Sequence, residues 1–383
     1  MNIAIFTNNY LPNPYGVARS IETFRYEFEK QGHSVFIFAP RLKGYQDKNP
    51  NVFRYPSLDI NIKFRFPLAI PYFQKMDKII EKLDLDIIHA QHPNLLGIAA
   101  RKWSKRKKIP LIFTWHTLYD KYTNFVPFIP ARISAGYIIK KAVKFANEAD
   151  MVITPTNSII PILKKWGVRN KNITPIATGV LKKEFDNSDG DKIRKKYKIK
   201  KDDIVLITVS RLTPEKNVEF ILQSVKDILK RDDIKLMIVG GGYLTPELKY
   251  FCKQAKIKNE VIFCGEIERK EIKNYYASGD IFVYGSKSET QGMTVTEAMY
   301  MGLPIVAVKA TGINNLVLND SNGFLMRENK QAFAQAVEKL IADKNLRQKF
   351  GKTSQKNIQD QFTSEVCAQK MLAIYEKAIK TKK

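Results

Sequence analysis

The stretch Ser286-Lys287-Ser288-Glu289-Thr290-Gln291-Gly292-Met293-Thr294-Val295-Thr296-Glu297-Ala298-Met299 holds the densest chemistry in the chain. Two carboxylates, Glu289 and Glu297, flank a glycine with seven residues between them. The residues before Gly292 read as a loop and those after it as a helix. The helix start leaves the N–H groups of Gly292 to Val295 free, and with the helix dipole they form an anion site. Glu289 on the loop side can accept hydrogen bonds from sugar hydroxyls, and Glu297 inside the helix from a ribose. The plain alternative is a helix whose acidic residues cap and solvate it. That explains either glutamate alone but not the whole stretch, because the helix start also falls at the carboxyl end of a strand, where open α/β sheets bind ligands.

A second cluster is Ser210-Arg211-Leu212-Thr213-Pro214-Glu215-Lys216-Asn217. Arg211 ends a strand and Lys216 begins a helix, so both point to the same carboxyl-end crevice. Two cations beside a helix N-terminus suit a pyrophosphate leaving group; the alternative is a solvated charged loop. A third is Phe113-Thr114-Trp115-His116-Thr117-Leu118-Tyr119-Asp120, again at a strand end, with His116 and Asp120 expected to face a cleft between domains. His89 reads as structural, and His92 stays open. Gly240-Gly241-Gly242 allows close backbone approach to a ligand or serves a plain strand-to-helix turn. Gly351-Lys352-Thr353 mimics the end of a phosphate loop, but no strand precedes it and Leu346 stands where the leading glycine belongs. No His/Cys cluster has metal spacing, and no metal is expected.

The elements that must position these groups alternate along the chain. A buried-strand pattern at Ile3–Thr7 precedes a helix face at Val17, Ile21, Phe24 and Phe28, and then a strand at Val35–Phe38. Strands follow at 86–90, 110–114, 150–154 and 173–177, with helices near 94–106, 131–148 and 158–166. The polar stretch 181–202 reads as a boundary. A second run has strands at 204–210, 234–239, 261–264, 280–284 and 304–308, with helices at 217–230, 245–256, 269–277 and 293–301. Segments 331–349 and 363–380 read as helices. Repeated βα units imply parallel sheets covered by helices, here in two consecutive doubly wound domains.

The 383 residues are 44% hydrophobic and 27% charged, an ordinary globular composition. Three cysteines (Cys252, Cys264, Cys367) suit reduced core thiols rather than a disulfide framework. No stretch approaches the roughly 18 to 20 apolar residues that span a bilayer, and the N-terminus does not read as a signal peptide. The net charge of +26 implies affinity for something anionic, with lysine drift as the alternative. Lys105, Arg106, Lys107 and Lys108 end a helix, and Phe128 precedes a helix with Lys140 and Lys141. Basic residues beside apolar ones suit an anionic membrane surface, or else form a solvated basic face. No nucleic-acid motif is visible, and no nucleic-acid partner is expected.

Glu289-x7-Glu297, Gly302-Leu303-Pro304, Arg211 with Lys216, and the Tyr15-Gly16-Val17 loop resemble the retaining glycosyltransferases of family 4. Residues 114–123, Thr-Trp-His-Thr-Leu-Tyr-Asp-Lys-Tyr-Thr, are similar to the branch that glycosylates diacylglycerol or phosphatidylinositol. The resemblance implies the GT-B fold, with two Rossmann-like domains facing a central cleft. These would be residues 1–180 for the acceptor and 181–362 for the nucleotide sugar, with a helix over 363–383 that can return to the first domain. It implies that Arg211 and Lys216 bind the diphosphate and Glu297 the ribose. Glu289 would bind donor-sugar hydroxyls, helped by backbone groups of Gly292, Met293, Thr294 and Val295. Gly16 and Gly241 would approach the donor, Ile267 would lie near the base, and His116 would touch the transferred sugar. Tyr15, His92, Tyr119, Asp120 and Tyr122 would line the acceptor side. One departure is Tyr-Gly-Val where the family often has paired glycines. The expectation is a retaining hexosyltransferase with UDP-glucose as co-substrate, no further cofactor, and a glycerolipid acceptor. It would sit peripherally on the inner face of the cell membrane. The alternatives are the same fold with a soluble or polysaccharide-precursor acceptor, and a non-catalytic basic membrane or nucleic-acid binding protein.

Overall fold

The computed structural model describes residues 1–13, 16–61, 65–119 and 131–382, apart from the side chains of 59–61, 65, 66 and 131–134. The chain divides into two units, Met1–Gly179 with Ser364–Lys383, and Val180–Thr363.

In chain order, the first unit holds β1 (Asn2–Phe6), α1 (Gly16–Lys30), β2 (Ser34–Pro40), β3 (Val52–Tyr55), β4 (Ser57–Asn61), β5 (Arg65–Ala69), α2 (Gln74–Lys82), β6 (Ile87–Ala90), α3 (Leu96–Lys107), β7 (Leu111–Thr114), α4 (Ala131–Glu148), β8 (Met151–Thr154), α5 (Ile160–Trp166) and β9 (Ile173–Pro175). Seven strands form one parallel sheet in the order β3-β2-β1-β6-β7-β8-β9. Burial on both faces explains why β6, β7 and β8 are mainly apolar and do not alternate. The antiparallel pair β4–β5 has no counterpart in the sequence expectation. Its Pro67 and Asp59 blur the strand pattern.

The second unit holds α6 (Gly190–Lys196), β10 (Ile204–Val209), α7 (Val218–Val225), β11 (Ile234–Val239), α8 (Thr245–Gln254), β12 (Val261–Gly265), α9 (Ile272–Ser278), β13 (Ile281–Tyr284), α10 (Met293–Tyr300), β14 (Ile305–Val308), β15 (Gly323–Met326), α11 (Lys330–Ala342) and α12 (Lys344–Gln361). Its sheet runs β12-β11-β10-β13-β14-β15, again all parallel. Successive strand residues feed opposite faces: Val205, Ile207 and Val209 join one apolar cluster and Leu206 the other. The helix expected at 217–230 is split, with α7 ending at Val225 and a short 3-10 turn at Ile228–Lys230.

The final helix α13 (Ser364–Lys382) belongs to the first unit. Tyr375 packs on Phe28 and donates to or accepts from buried His89 at 2.6 Å, while Ser364 bonds Glu27 at 2.5 Å. The segments expected at 331–349 and 363–380 are three helices. Asp343 interrupts the first, accepting from the Leu346 N–H at 2.9 Å and so capping α12. The polar stretch 181–202 is ordered and belongs to the second unit. Asp189 caps α6, which packs on α9, and Arg194 pairs with Asp280 at 2.6 Å.

Candidate active site

Strand order reverses between β1 and β6 in the first sheet and between β10 and β13 in the second. At such a switch point the loops leave in opposite directions and open a crevice. The residues after β10 and β13 therefore meet. Lys216 Nζ donates to Glu289 Oε1 at 2.5 Å, and Tyr284 Oη donates to the same oxygen at 2.6 Å. The two loops are also tied through the Glu215 carbonyl, which accepts from the Lys287 N–H at 3.0 Å and the Ser286 hydroxyl at 3.2 Å. Burial alone would raise the Glu289 carboxyl. The Lys216 charge and hydrogen bonds from Lys216, Tyr284 and Ser286 outweigh it and hold the group below its ordinary value. A buried carboxylate is thus kept ionised beside a buried cation. Arg211 stands nearer solvent and pairs with Glu215 at 3.1 Å.

Gly292 precedes α10 with φ +82°, and a Cβ there would meet Ile313 Cδ1 at 2.4 Å. The first turn corrects one expectation. The Val295 N–H is not free, because it donates to the Gly292 carbonyl at 2.9 Å. A tightened first turn uses that donor, and the in-helix acceptors for Met293 and Thr294 are still missing. The glycine triplet answers to the neighbouring loop. A Cβ on Gly240 would fall 1.9 Å from the Ser210 carbonyl oxygen, and one on Gly242 2.3 Å from that of Leu212. Gly241 lies against Glu266 and accepts from the Leu212 N–H at 2.8 Å. The triplet therefore lets the loop that carries Arg211 and Lys216 sit close.

Glu297 lies one turn into α10 and is almost wholly buried. Its Oε1 is 3.0 Å from Arg269, and its Oε2 accepts from the Tyr276 hydroxyl at 2.9 Å. Ile267 is half-buried two residues before Arg269 and packs against the same apolar cluster.

The first unit places three of its four histidines, His89, His92 and His116, at the ends of β6 and β7. His116 Nε2 is 2.6 Å from Gln91 Oε1. His92 Nδ1 accepts from the Asn8 N–H at 3.1 Å, and Asn8 in turn bonds Asn94 and accepts from the Leu96 N–H at the start of α3. His89 is held by Tyr375 and Thr114. Burial pushes the His116 imidazole down to about 3, with His92 and His89 adding to the effect; burial takes His92 down to about 4 and His89 to about 3. All three are neutral near pH 7, so His116 can meet a neutral hydroxyl without desolvating a charge. Tyr119 packs edge-on to Trp115. Gly16 is the first residue of α1. Tyr15, Asp120, Tyr122 and Phe128 lie outside the described residues.

The basic cluster of α3 is partly engaged. Arg106 pairs with Glu81 at 2.6 Å, Lys107 donates to the Glu81 and Leu83 carbonyls, and Lys105 lies 3.9 Å from Glu148. Lys108 caps the helix in the left-handed region. Lys140 and Lys141 are exposed, the latter over the exposed Tyr137 ring. Sequence reasoning passed over Tyr284, Arg269, Glu184 and Gln91. Tyr284 sits in an apolar strand run and Glu184 in the polar stretch read as a boundary, so neither carries a local signal. Among the described residues no group of His, Cys, Asp or Glu could hold a metal, and no helix is long and apolar enough to cross a membrane.

Two family models match: Glycosyltransferase Family 4 over residues 14–181, and Glycosyl transferases group 1 over residues 189–357. The chain is 32% identical over 351 residues to alpha-monoglucosyldiacylglycerol synthase of Streptococcus pneumoniae, covering 89% of this chain and 79% of that protein. It is 28% identical to the protein of the same name from Acholeplasma laidlawii, over 86% of each. Among solved structures, sucrose-phosphate synthase of Thermosynechococcus elongatus superposes with TM-score 0.80 at 18% identity over 99% of both chains. Anabaena HepE in complex with UDP and glucose gives 0.78 at 19%, over 98% of this chain and 99% of its own. With two parallel Rossmann-like sheets of the GT-B kind and a relative this similar over most of its length, the chain belongs to glycosyltransferase family 4 and is a glycosyltransferase.

Proposed function

We propose that the enzyme moves a hexose, glucose, from UDP-glucose to a glycerolipid such as diacylglycerol, with retention of configuration. The observation that carries the donor half is the buried Lys216–Glu289–Tyr284 cluster at the start of α10. Lys216, Arg211 and the α10 N-terminus supply positive potential for a departing nucleoside diphosphate. Glu289, held ionised, accepts hydrogen bonds from the donor-sugar hydroxyls. Glu297 takes the ribose, and Ile267 packs beside the base. Gly16 lets its loop near the phosphates, and neutral His116 contacts the transferred sugar. In the reaction the bond between sugar C1 and the diphosphate oxygen breaks and the acceptor hydroxyl oxygen bonds C1 on the same face. The hydroxyl proton passes to the leaving diphosphate. The transition state is oxocarbenium-like and needs charge stabilisation more than a strong base.

The names of the two relatives support the lipid acceptor. The net charge of +26 and the exposed Lys140 and Lys141 support a peripheral position on an anionic membrane surface, the inner face of the cell membrane. A GDP-mannose-dependent alpha-mannosyltransferase of Corynebacterium glutamicum, 26% identical over 90% of this chain, favours GDP-mannose as the second donor to try. The test offers UDP-glucose, UDP-galactose and GDP-mannose with anionic vesicles holding diacylglycerol or phosphatidylinositol, and the lipids are weighed by mass spectrometry. Hexosyl-diacylglycerol from UDP-glucose is the expected product. Release of nucleoside diphosphate without a lipid product would discard the lipid acceptor and leave a soluble or polysaccharide-precursor acceptor.

A further inference from the structure

Glu297 does not stand alone. Arg269 reaches it with Nη2 at 3.0 Å, and the same Nη2 reaches Glu184 Oε2 at 2.7 Å. Arg269 Nε adds a second bond to Glu184 Oε2 at 3.0 Å. The guanidinium lies 5.0 Å from the centroid of the Phe185 ring, which in turn packs on Tyr276. Tyr276 closes the loop by donating to Glu297 Oε2 at 2.9 Å. So one carboxylate oxygen of Glu297 faces Arg269 and the other faces Tyr276. A carboxylate has about four lone-pair sites, two on each oxygen. Partners on both oxygens fix the plane of the group, and with it the direction in which it would meet a vicinal diol. The anchor of this device, Glu184, comes from the short 3-10 turn Lys182–Glu184, far from α10 in sequence.

We propose that Glu184 and Arg269 are positioning residues that hold Glu297 for the two ribose hydroxyls of the donor nucleotide. This rests on the assignment of Glu297 to the ribose. Glu184 orients the fork of Arg269, and Arg269 orients Glu297. Removing Glu184 lets the guanidinium turn, and Glu297 then follows Arg269 out of register with the diol. The effect belongs to the ribose alone, since neither residue is placed against the base or the diphosphate.

The test measures binding of UDP and 2′-deoxy-UDP to the full chain by titration calorimetry, with GDP and 2′-deoxy-GDP run beside them. The variants are Glu184→Gln, Arg269→Lys and Glu297→Gln. The wild type is expected to prefer the ribonucleotide by about tenfold, the worth of one hydrogen bond to a charged group. Glu297→Gln should bring that ratio close to one. Glu184→Gln should lower it by about threefold or more while the deoxynucleotide affinity stays put, and Arg269→Lys should restore only part of it. Both side chains are partly exposed, Arg269 at 31% and Glu184 at 29%, so the variants are expected to fold, and thermal melting checks this. A wild-type ratio retained in both Glu184→Gln and Arg269→Lys, with collapse in Glu297→Gln, overturns the positioning role and leaves the ribose assignment standing. A wild-type ratio near one, or one that Glu297→Gln does not change, removes the assignment and the proposal with it. Equal loss for ribo- and deoxynucleotides assigns the pair to the fold alone and overturns the proposal.

Discussion

Lys216→Ala and Glu289→Gln should move donor binding in opposite directions, although the two side chains touch. Both are mostly buried, at 15% and 12% exposure, and lie 2.5 Å apart. Deleting Lys216 leaves a buried carboxylate with Tyr284 and Ser286 as partners. The cost in stability is about 3 kcal/mol, the low end for breaking a buried pair. It also removes the charged hydrogen bond proposed to the diphosphate, worth about 1.5–3 kcal/mol, or roughly 10- to 150-fold in Kd for UDP. Glu289→Gln does the reverse to Lys216. The ammonium loses its competing counter-ion, so UDP binds as well as to wild type or up to about tenfold tighter. Transfer slows by about 100-fold or more, because the sugar hydroxyls lose a preorganised acceptor. Calorimetry with UDP and a single-turnover transfer assay read the two quantities separately, and urea unfolding reads the stability cost. Lys216→Ala binding UDP like wild type would refute the reasoning. So would Glu289→Gln weakening UDP as much as Lys216→Ala does.

Stability should fall on acidification. His89, His92 and His116 have folded values near 3 to 4, below the unfolded value of 6.5, so their stabilisation is intact above that value and is lost as pH falls from 6.5 towards 3. For fully buried His89 this amounts to about 2 kcal/mol by pH 5, and urea midpoints at pH 7.5 and 5.0, in wild type and His89→Gln, should differ in slope accordingly. Gly240→Ala should slow transfer by about tenfold or more and cost about 2 kcal/mol, because its φ is +126° and the new Cβ would strike the Ser210 carbonyl beside Arg211. An unchanged Tm and an unchanged rate would contradict that account of the triplet. Vesicle binding should weaken from 50 to 300 mM salt (about a twofold change in screening length) and on neutralising Lys140 and Lys141 together. Salt-insensitive binding would count against an electrostatic surface.

The alternation of strands and helices was legible because buried parallel strands are short, mainly apolar runs and the helices between them keep a helical apolar spacing. Thus 131–148 reads as a helix and is α4, and 234–239 reads as a strand and is β11. The order within the polar stretch 181–202 was not legible, for a physical reason. Its order comes from Asp189 capping α6, from Arg194 pairing with Asp280 and from Glu184 pairing with Arg269, none of which leaves an apolar period. The hairpin β4–β5 escaped notice because short, partly exposed strands carry little of the alternation that burial imposes. The helix start at Gly292 was visible as a glycine between a loop and a helical segment, but the use of the Val295 N–H inside the first turn was not, since hydrogen-bond geometry at a helix end is not a matter of residue type.

Local order along the chain settles which residues stand at strand ends: Arg211 after β10, Glu289 after β13 and His116 after β7 can be placed there from periodicity and breakers alone. Which strand ends are neighbours is another matter. Lys216 meets Glu289 across 73 residues because β10 and β13 pair at the point where the strand order reverses. Two sheets of the same strands in another order would have equally good periodicities and no such pair. The same holds for Glu184, Arg269 and Glu297, three charged residues with ordinary local settings that share one guanidinium. Periodicity reports which face a residue buries, whereas adjacency is decided by the packing of whole layers, and it is adjacency that makes a carboxylate and an ammonium into a site.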